Sequence, residues 1–110
     1  MAYDEVLADR LRDVLAGEEL TEQKMFGGLA FLANGNMAVA ASGQGGLLLR
    51  CDPAQTENLV RDDHVDRFEM RGRQMDGWLR VDEEAVADDE ALASWARVGL
   101  DYARSLPPKR

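Results

Sequence analysis

His64 is the only histidine of the chain and Cys51 its only cysteine. Any acid–base relay, His-ligated metal or thiol nucleophile would have to run through one of these two side chains. Neither has the neighbours such chemistry needs. His64 stands in Asp62-Asp63-His64, which reads as a solvated loop without a paired nucleophile. Cys51 has no Cys or His at metal-ligand spacing. It ends the apolar run Leu47-Leu48-Leu49-Arg50-Cys51 and reads as a small buried hydrophobe. The competing reading is a thiol activated by a helix beginning at Pro53. Gly43-Gln44-Gly45-Gly46 has the composition of a phosphate loop, but such loops lie between a strand and a helix whose N-terminus receives the anion. Here strand-like runs flank the glycines on both sides, so a hairpin turn is expected, and Gly27-Gly28 fails the same test. The carboxylate clusters Glu18-Glu19 and Asp82-Glu83-Glu84 flank or open helices, where acidic residues favour the dipole. No catalytic residue, metal ligand or cofactor is therefore expected.

Arg67, Arg71, Arg73 and Arg80 form the one local basic concentration in an acidic chain. Trp78 falls on the same side of its strand as Arg80. Arg71, Arg73, Trp78 and Arg80 are thus the candidate interaction surface, for a partner protein or an anion, because Trp and Arg dominate binding hot spots. The competing reading is salt bridging to Glu69, Asp76 and Asp82, with Trp78 covered by a helix.

The elements that must position these residues have clear signals. Apolar runs flank Asn34-Gly35, and a type I′ turn there needs positive φ at both central positions. Strands are expected over 24–33 and 37–42. Gly27-Gly28 marks a point where a side chain would block the pleat or a neighbouring backbone. Residues 4–16 predict an amphipathic helix with Leu7, Leu11, Val14 and Leu15 on one face and Gly17 as its stop. Residues 47–51 predict a third strand. Asp52-Pro53 opens a helix reaching about residue 61, with Asp52 as N-cap, Pro53 at the first helical position and Gln55 placed for a capping box. His64 to Arg67 read as a connector. Residues 68–71 and 77–81 alternate as two further strands, with 72–76 between them. The last helix starts near Asp88 or Asp89 and carries Leu92, Trp95, Ala96, Gly99, Tyr102, Ala103 and Leu106 on one stripe, before Pro107-Pro108. The order α-β-β-β-α-β-β-α predicts an α+β fold, an antiparallel sheet with packed helices, since parallel crossovers would demand a helix after every strand.

With 110 residues and a 45% apolar share, the chain is expected to form one domain over 1–110 with its core in 3–106. No apolar run approaches the ~20 residues that span a bilayer. The acidic start, Asp4-Glu5, lacks the basic beginning of a signal peptide. A cytoplasmic location without membrane contact is expected, and a single cysteine fits a reducing compartment. The net charge of −8 repels nucleic acid, whose binding rests on neutralising phosphates, so direct nucleic-acid binding is not expected. Both parities of 25–32 are apolar: Met25, Leu29 and Phe31 on one face, Phe26, Ala30 and Leu32 on the other. A half-exposed strand would alternate. Joined by Leu47, Leu48 and Leu49, this surplus predicts self-association as a homodimer burying about 800 Å² per partner; the competing reading is that helices cover both faces.

Four stretches together resemble the N-terminal domain of the TfoX/Sxy competence-regulator family. They are Lys24-Met25-Phe26-Gly27-Gly28 with its Asn-Gly hairpin, Leu47 to Asp52, Phe68-Glu69-Met70-Arg71 with Trp78-Leu79-Arg80-Val81, and the helix holding Leu92, Trp95, Ala96 and Tyr102. The resemblance spans residues 3–106. It implies a fold shared with secretion-chaperone-like domains, and it carries across no catalytic residue or cofactor. Named members regulate natural competence by assisting the cyclic-AMP receptor protein at particular promoters. The longer members add a C-terminal helical domain, which a chain stopping at Arg110 is expected to lack. The function this implies is a non-enzymatic regulatory or adaptor domain acting by protein contact in transcriptional regulation of competence-like genes, with a transcription regulator as partner. The alternative is a domain that binds a small anionic ligand or nucleotide through Arg71, Arg73 and Arg80, associated with RNA modification. An independent enzyme ranks third.

Overall fold

The structure, a computed structural model, describes residues 4–25, 27–43, 45–70 and 72–108. In chain order the elements are α1 (Glu5–Val14), β1 (Thr21–Met25), β2 (Gly28–Ala33), β3 (Asn36–Ala41), β4 (Leu47–Arg50), α2 (Thr56–Leu59), β5 (Val65–Met70), β6 (Arg73–Val81) and α3 (Asp89–Ser105). Among the described residues the strands form one six-stranded antiparallel sheet ordered β1-β2-β3-β4-β6-β5. A 3-10 turn over Pro53–Gln55 and α2 carry the chain from β4 past β6 to the edge strand β5. The α+β fold and the order of helices and strands are as the pattern predicts, with one strand more before α2.

Local chemistry explains most boundaries. Asn34 and Gly35 take φ of 53° and 81°, the pair of positive values a type I′ turn requires. Asp4, Asp52 and Asp88 cap the helical segments, accepting hydrogen bonds from Val6 and Leu7, from Ala54 and from Ala91 respectively.

The expected single strand 24–33 is two strands. Met25 ends β1, Gly27 takes φ +74°, and Gly28 opens β2 directly opposite Met25. A Cβ on Gly28 would stand 2.0 Å from the Ala41 carbonyl oxygen, so β2 can pair with β3 only if this residue is glycine. Phe26 lies outside the described residues. β1 went unread because Thr21-Glu22-Gln23-Lys24 is exposed throughout, and an exposed edge strand has no apolar alternation. The β5–β6 hairpin also takes in Val65–Arg67 and Arg73–Asp76, segments expected to be connectors, because apart from the buried Val65 their residues are mostly polar and show no apolar alternation.

Register across the ladder defines two faces. One row runs Glu22, Phe31, Val39, Leu49, Leu79, Arg67. Its apolar centre is covered by α1 and α3, through Leu7, Leu11, Leu92, Ala96, Leu100 and Ala103. The opposite face carries the row Gln23, Ala30, Ala40, Leu48, Arg80, Asp66. There Ala30, Leu32, Met37, Ala40 and Leu48 form a second buried cluster. Met25 from one edge strand, Phe68 from the other, and Trp78 pack against it. Residues 29–32 and 47–49 are therefore buried on both faces within a single chain. Val6 is the one large apolar side chain exposed among the described residues. The surplus that suggested a homodimer lies inside the protomer, because an apolar period reports burial without saying whether the cover is self or partner.

Candidate interaction surface

β6 positions the site. Opposite β5 the register jumps: Arg67 pairs with Leu79, while the next residue, Phe68, pairs with Met75, leaving Asp76, Gly77 and Trp78 as a bulge. Gly77 takes φ +84°. The bulge turns toward the β4–α2 junction, where the Cys51 N–H donates to Gly77 O at 2.9 Å and the Gly77 N–H donates to Thr56 Oγ1 at 2.7 Å. The Thr56 hydroxyl also lies 3.8 Å from Cys51 Sγ, a contact in which either group can donate. Cys51 and Thr56 are each 1% exposed. Burial pushes the Cys51 thiol up from its ordinary value, outweighing the Thr56 hydrogen bond that acts the other way. A nucleophilic cysteine needs the opposite shift and an open approach.

Thr56→Val keeps the side-chain shape but strands the buried Gly77 N–H. It is expected to lower stability by about 1–3 kcal/mol, read by urea unfolding, while Thr56→Ser retains most of it. A neutral Thr56→Val would show that the bulge does not depend on this bond.

His64 sits at the start of the β5 hairpin. Its N–H donates to Asp62 Oδ1 at 2.9 Å, and its ring Nδ1 lies 3.6 Å from Asp82 Oδ2 at a partly exposed site. The 43–46 segment is the expected hairpin turn. The Ser42 N–H donates to Gly46 O at 3.0 Å and the Gly45 N–H to Ser42 O at 3.1 Å, so these amides serve the turn itself. Gln44 lies outside the described residues. Among the described residues no group of three His, Cys, Asp or Glu side chains comes together in a way that could hold a metal ion.

The sequence-derived surface divides. Arg71 lies outside the described residues. Arg73 is exposed at the start of β6, paired with Met70. Trp78 and Arg80 share the face opposite the helices, both partly buried, with Arg80 paired to Leu48. Arg67, by contrast, pairs with Leu79 of the helix-covered face and its Nε lies 2.8 Å from Asp76 Oδ1. Arg80 donates from Nη2 to Gly45 O at 3.0 Å. It stands where two clefts meet. One, of about 370 Å³, is lined by Gly45, Asp82, Glu83 and Glu84 besides Arg80. The other, of about 460 Å³, adds Asp66, Arg67, Glu69 and Gln74. Five carboxylates thus face two guanidinium groups, and this balance favours a cationic neighbour over a phosphate.

The sequence reading missed Arg50. It lies directly across the ladder from Trp78. Its guanidinium carbon stands 4.9 Å from the Trp78 ring centroid and 5.4 Å from that of Tyr102 on α3. The available signal was a cation closing an otherwise apolar strand, but which residue stands opposite depends on β6 pairing with β4.

Over residues 10–103 the sequence matches the TfoX N-terminal domain family. The chain belongs to that family. Among curated proteins none matches it. The matched part of this TfoX N-terminal domain runs from within α1 to within α3, so it holds the whole sheet along with Arg50, Trp78, Arg80 and Tyr102.

Proposed function

We propose that this TfoX N-terminal domain is a non-enzymatic regulatory adaptor that acts by contact with a protein, through the face carrying Trp78 and Arg80. The observation that carries this reading is the placement of the reactive side chains. Cys51 is sealed behind Thr56 with its thiol pushed up, and the one histidine stands in a turn beside Asp82. Trp78 and Arg80, in contrast, sit half-buried on one face, as residue types that dominate binding hot spots. The resemblance to competence regulators makes a transcription regulator the partner class. The acidic surroundings of Arg80 favour a partner with a basic surface.

The test is capture by the immobilised domain from a bacterial lysate, repeated with Trp78→Phe and Arg80→Lys. Both variants keep the apolar stem that packs on the second cluster, so melting should stay close to that of the parent. Capture of the recovered regulator should weaken about tenfold in each, the loss expected when a hot-spot contact is removed. Capture at the parental level by both variants would move the contact elsewhere. Stabilisation by a nucleotide or phosphorylated metabolite in a thermal-shift screen, lost in Arg80→Lys, would support the anionic-ligand alternative instead.

A further inference from the structure

We infer that Arg50, set against the rings of Trp78 and Tyr102, is a receptor for a single carboxylate of the protein partner, an inference that rests on the protein-contact reading above. The guanidinium lies over both rings, at 4.9 and 5.4 Å from their centroids, and all three side chains are partly exposed. Its Nε is buried with no hydrogen-bond acceptor among the described residues. Among those residues it also has no carboxylate partner, whereas Arg10, Arg12, Arg67, Arg97 and Arg104 each have one.

Aromatic faces attract the positive charge of a guanidinium, but they accept none of the N–H groups that lie in its plane. Arg50 therefore has its direction set by the rings and its N–H groups unanswered; with Nε buried, the end that a partner reaches is the pair of Nη groups. The complement of such an end is an oxyanion that takes two parallel N–H bonds. Much of the side-chain entropy such a pairing would cost is already lost in the free protein. A carboxylate fits better than a phosphate. It is planar like the fork it meets, and a monoanion works against the field of a chain of net charge −8 less than a dianion does. The rings of Trp78 and Tyr102 add apolar contact for the carbons that carry the carboxylate. The partner segment that fits is thus neutral or basic overall, with one Asp or Glu at its centre.

Sodium acetate is the probe, titrated into the full 110-residue chain at constant ionic strength against sodium chloride. The signals followed by nuclear magnetic resonance are the Arg50 Nε–H and the Trp78 indole N–H. Acetate should shift both saturably, and chloride should not. Arg50→Lys keeps the charge but lacks the planar fork, so it should weaken acetate binding about tenfold, as read from the indole signal. Inorganic phosphate, run in parallel, should bind less tightly than acetate. Shifts that fail to saturate with both anions overturn the site. Saturation by phosphate and not by acetate overturns the carboxylate assignment in favour of a phosphate ligand. Acetate binding that is unchanged in Arg50→Lys places the anion elsewhere and overturns the assignment to Arg50. A saturable acetate shift with no captured partner keeps the carboxylate site and removes the protein-contact reading, and an unshifted Arg50 with a captured partner does the reverse.

Discussion

Gly99→Ala is expected to lower the stability of the domain by about 2–3 kcal/mol, although alanine is the better helix former. Intrinsic propensity alone favours alanine in a helix interior by about 1 kcal/mol. Gly99 lies inside the 17-residue helix α3, where it is buried against the sheet. A Cβ there would stand 2.3 Å from the Ala38 carbonyl oxygen and 3.0 Å from its carbon. Both atoms are backbone, so no rotamer change relieves the contact, and α3 or β3 has to move. A shift of α3 loosens Leu92, Ala96, Leu100 and Ala103 together, because one helix seats all four on the sheet and α1. Overpacking that displaces backbone costs more than the propensity gain. Denaturant unfolding measures the difference. A rise in stability of the size that propensity predicts would mean that α3 does not approach β3 this closely.

Leu48→Ala is expected to cost about 2–4 kcal/mol, independent of protein concentration. Leu48 is 2% exposed on the face opposite the helices, among Ala30, Leu32, Met37 and Ala40. Its truncation leaves a cavity beside Ala30 and Ala40, its neighbours along the same row of the sheet, and these alanines cannot close around the gap. If this face were instead covered by a second protomer, the loss would appear as weaker association and would shrink as concentration rises. Sedimentation of the parent should accordingly give a mass near 12.2 kDa across micromolar concentrations. A dimer that Leu48→Ala dissociates without lowering the stability of the monomer would show that the second face is an interface.

Much of the architecture was legible before any coordinates because its signals are local. Asp52 caps its helical turn where the pattern puts it, and α3 starts at Asp89, within the expected Asp88 or Asp89, since an N-cap needs only a short side chain a few residues ahead of an apolar period. Asn34-Gly35 makes its turn because few other dipeptides tolerate positive φ twice. The apolar stripe of α3 gave the face on which Leu92, Ala96, Gly99 and Ala103 are buried. The resemblance carried by these stretches corresponds to the family match over residues 10–103. The exposed strand β1 and the polar ends of β5 and β6 were not legible, since a strand with water on it lacks the alternation that marks its neighbours.

The sequence by itself determined the fold class, the family, the cap at Asp52 and the Asn34-Gly35 turn, because each is written within a few adjacent residues. Only the tertiary structure decided who stands beside whom. Placing β6 between β4 and β5 sets Arg50 across from Trp78, joins Arg80 to Leu48 and Asp66, and pairs Arg67 with Leu79 and with the Asp76 carboxylate. It also lets Met25 and Phe68, from opposite edges of the sheet, pack against one cluster. Hydrophobic period says that a face is buried, and charge count says how many ions must be balanced. Neither says what does the burying or the balancing, because ladder register is a long-range choice made by the whole core.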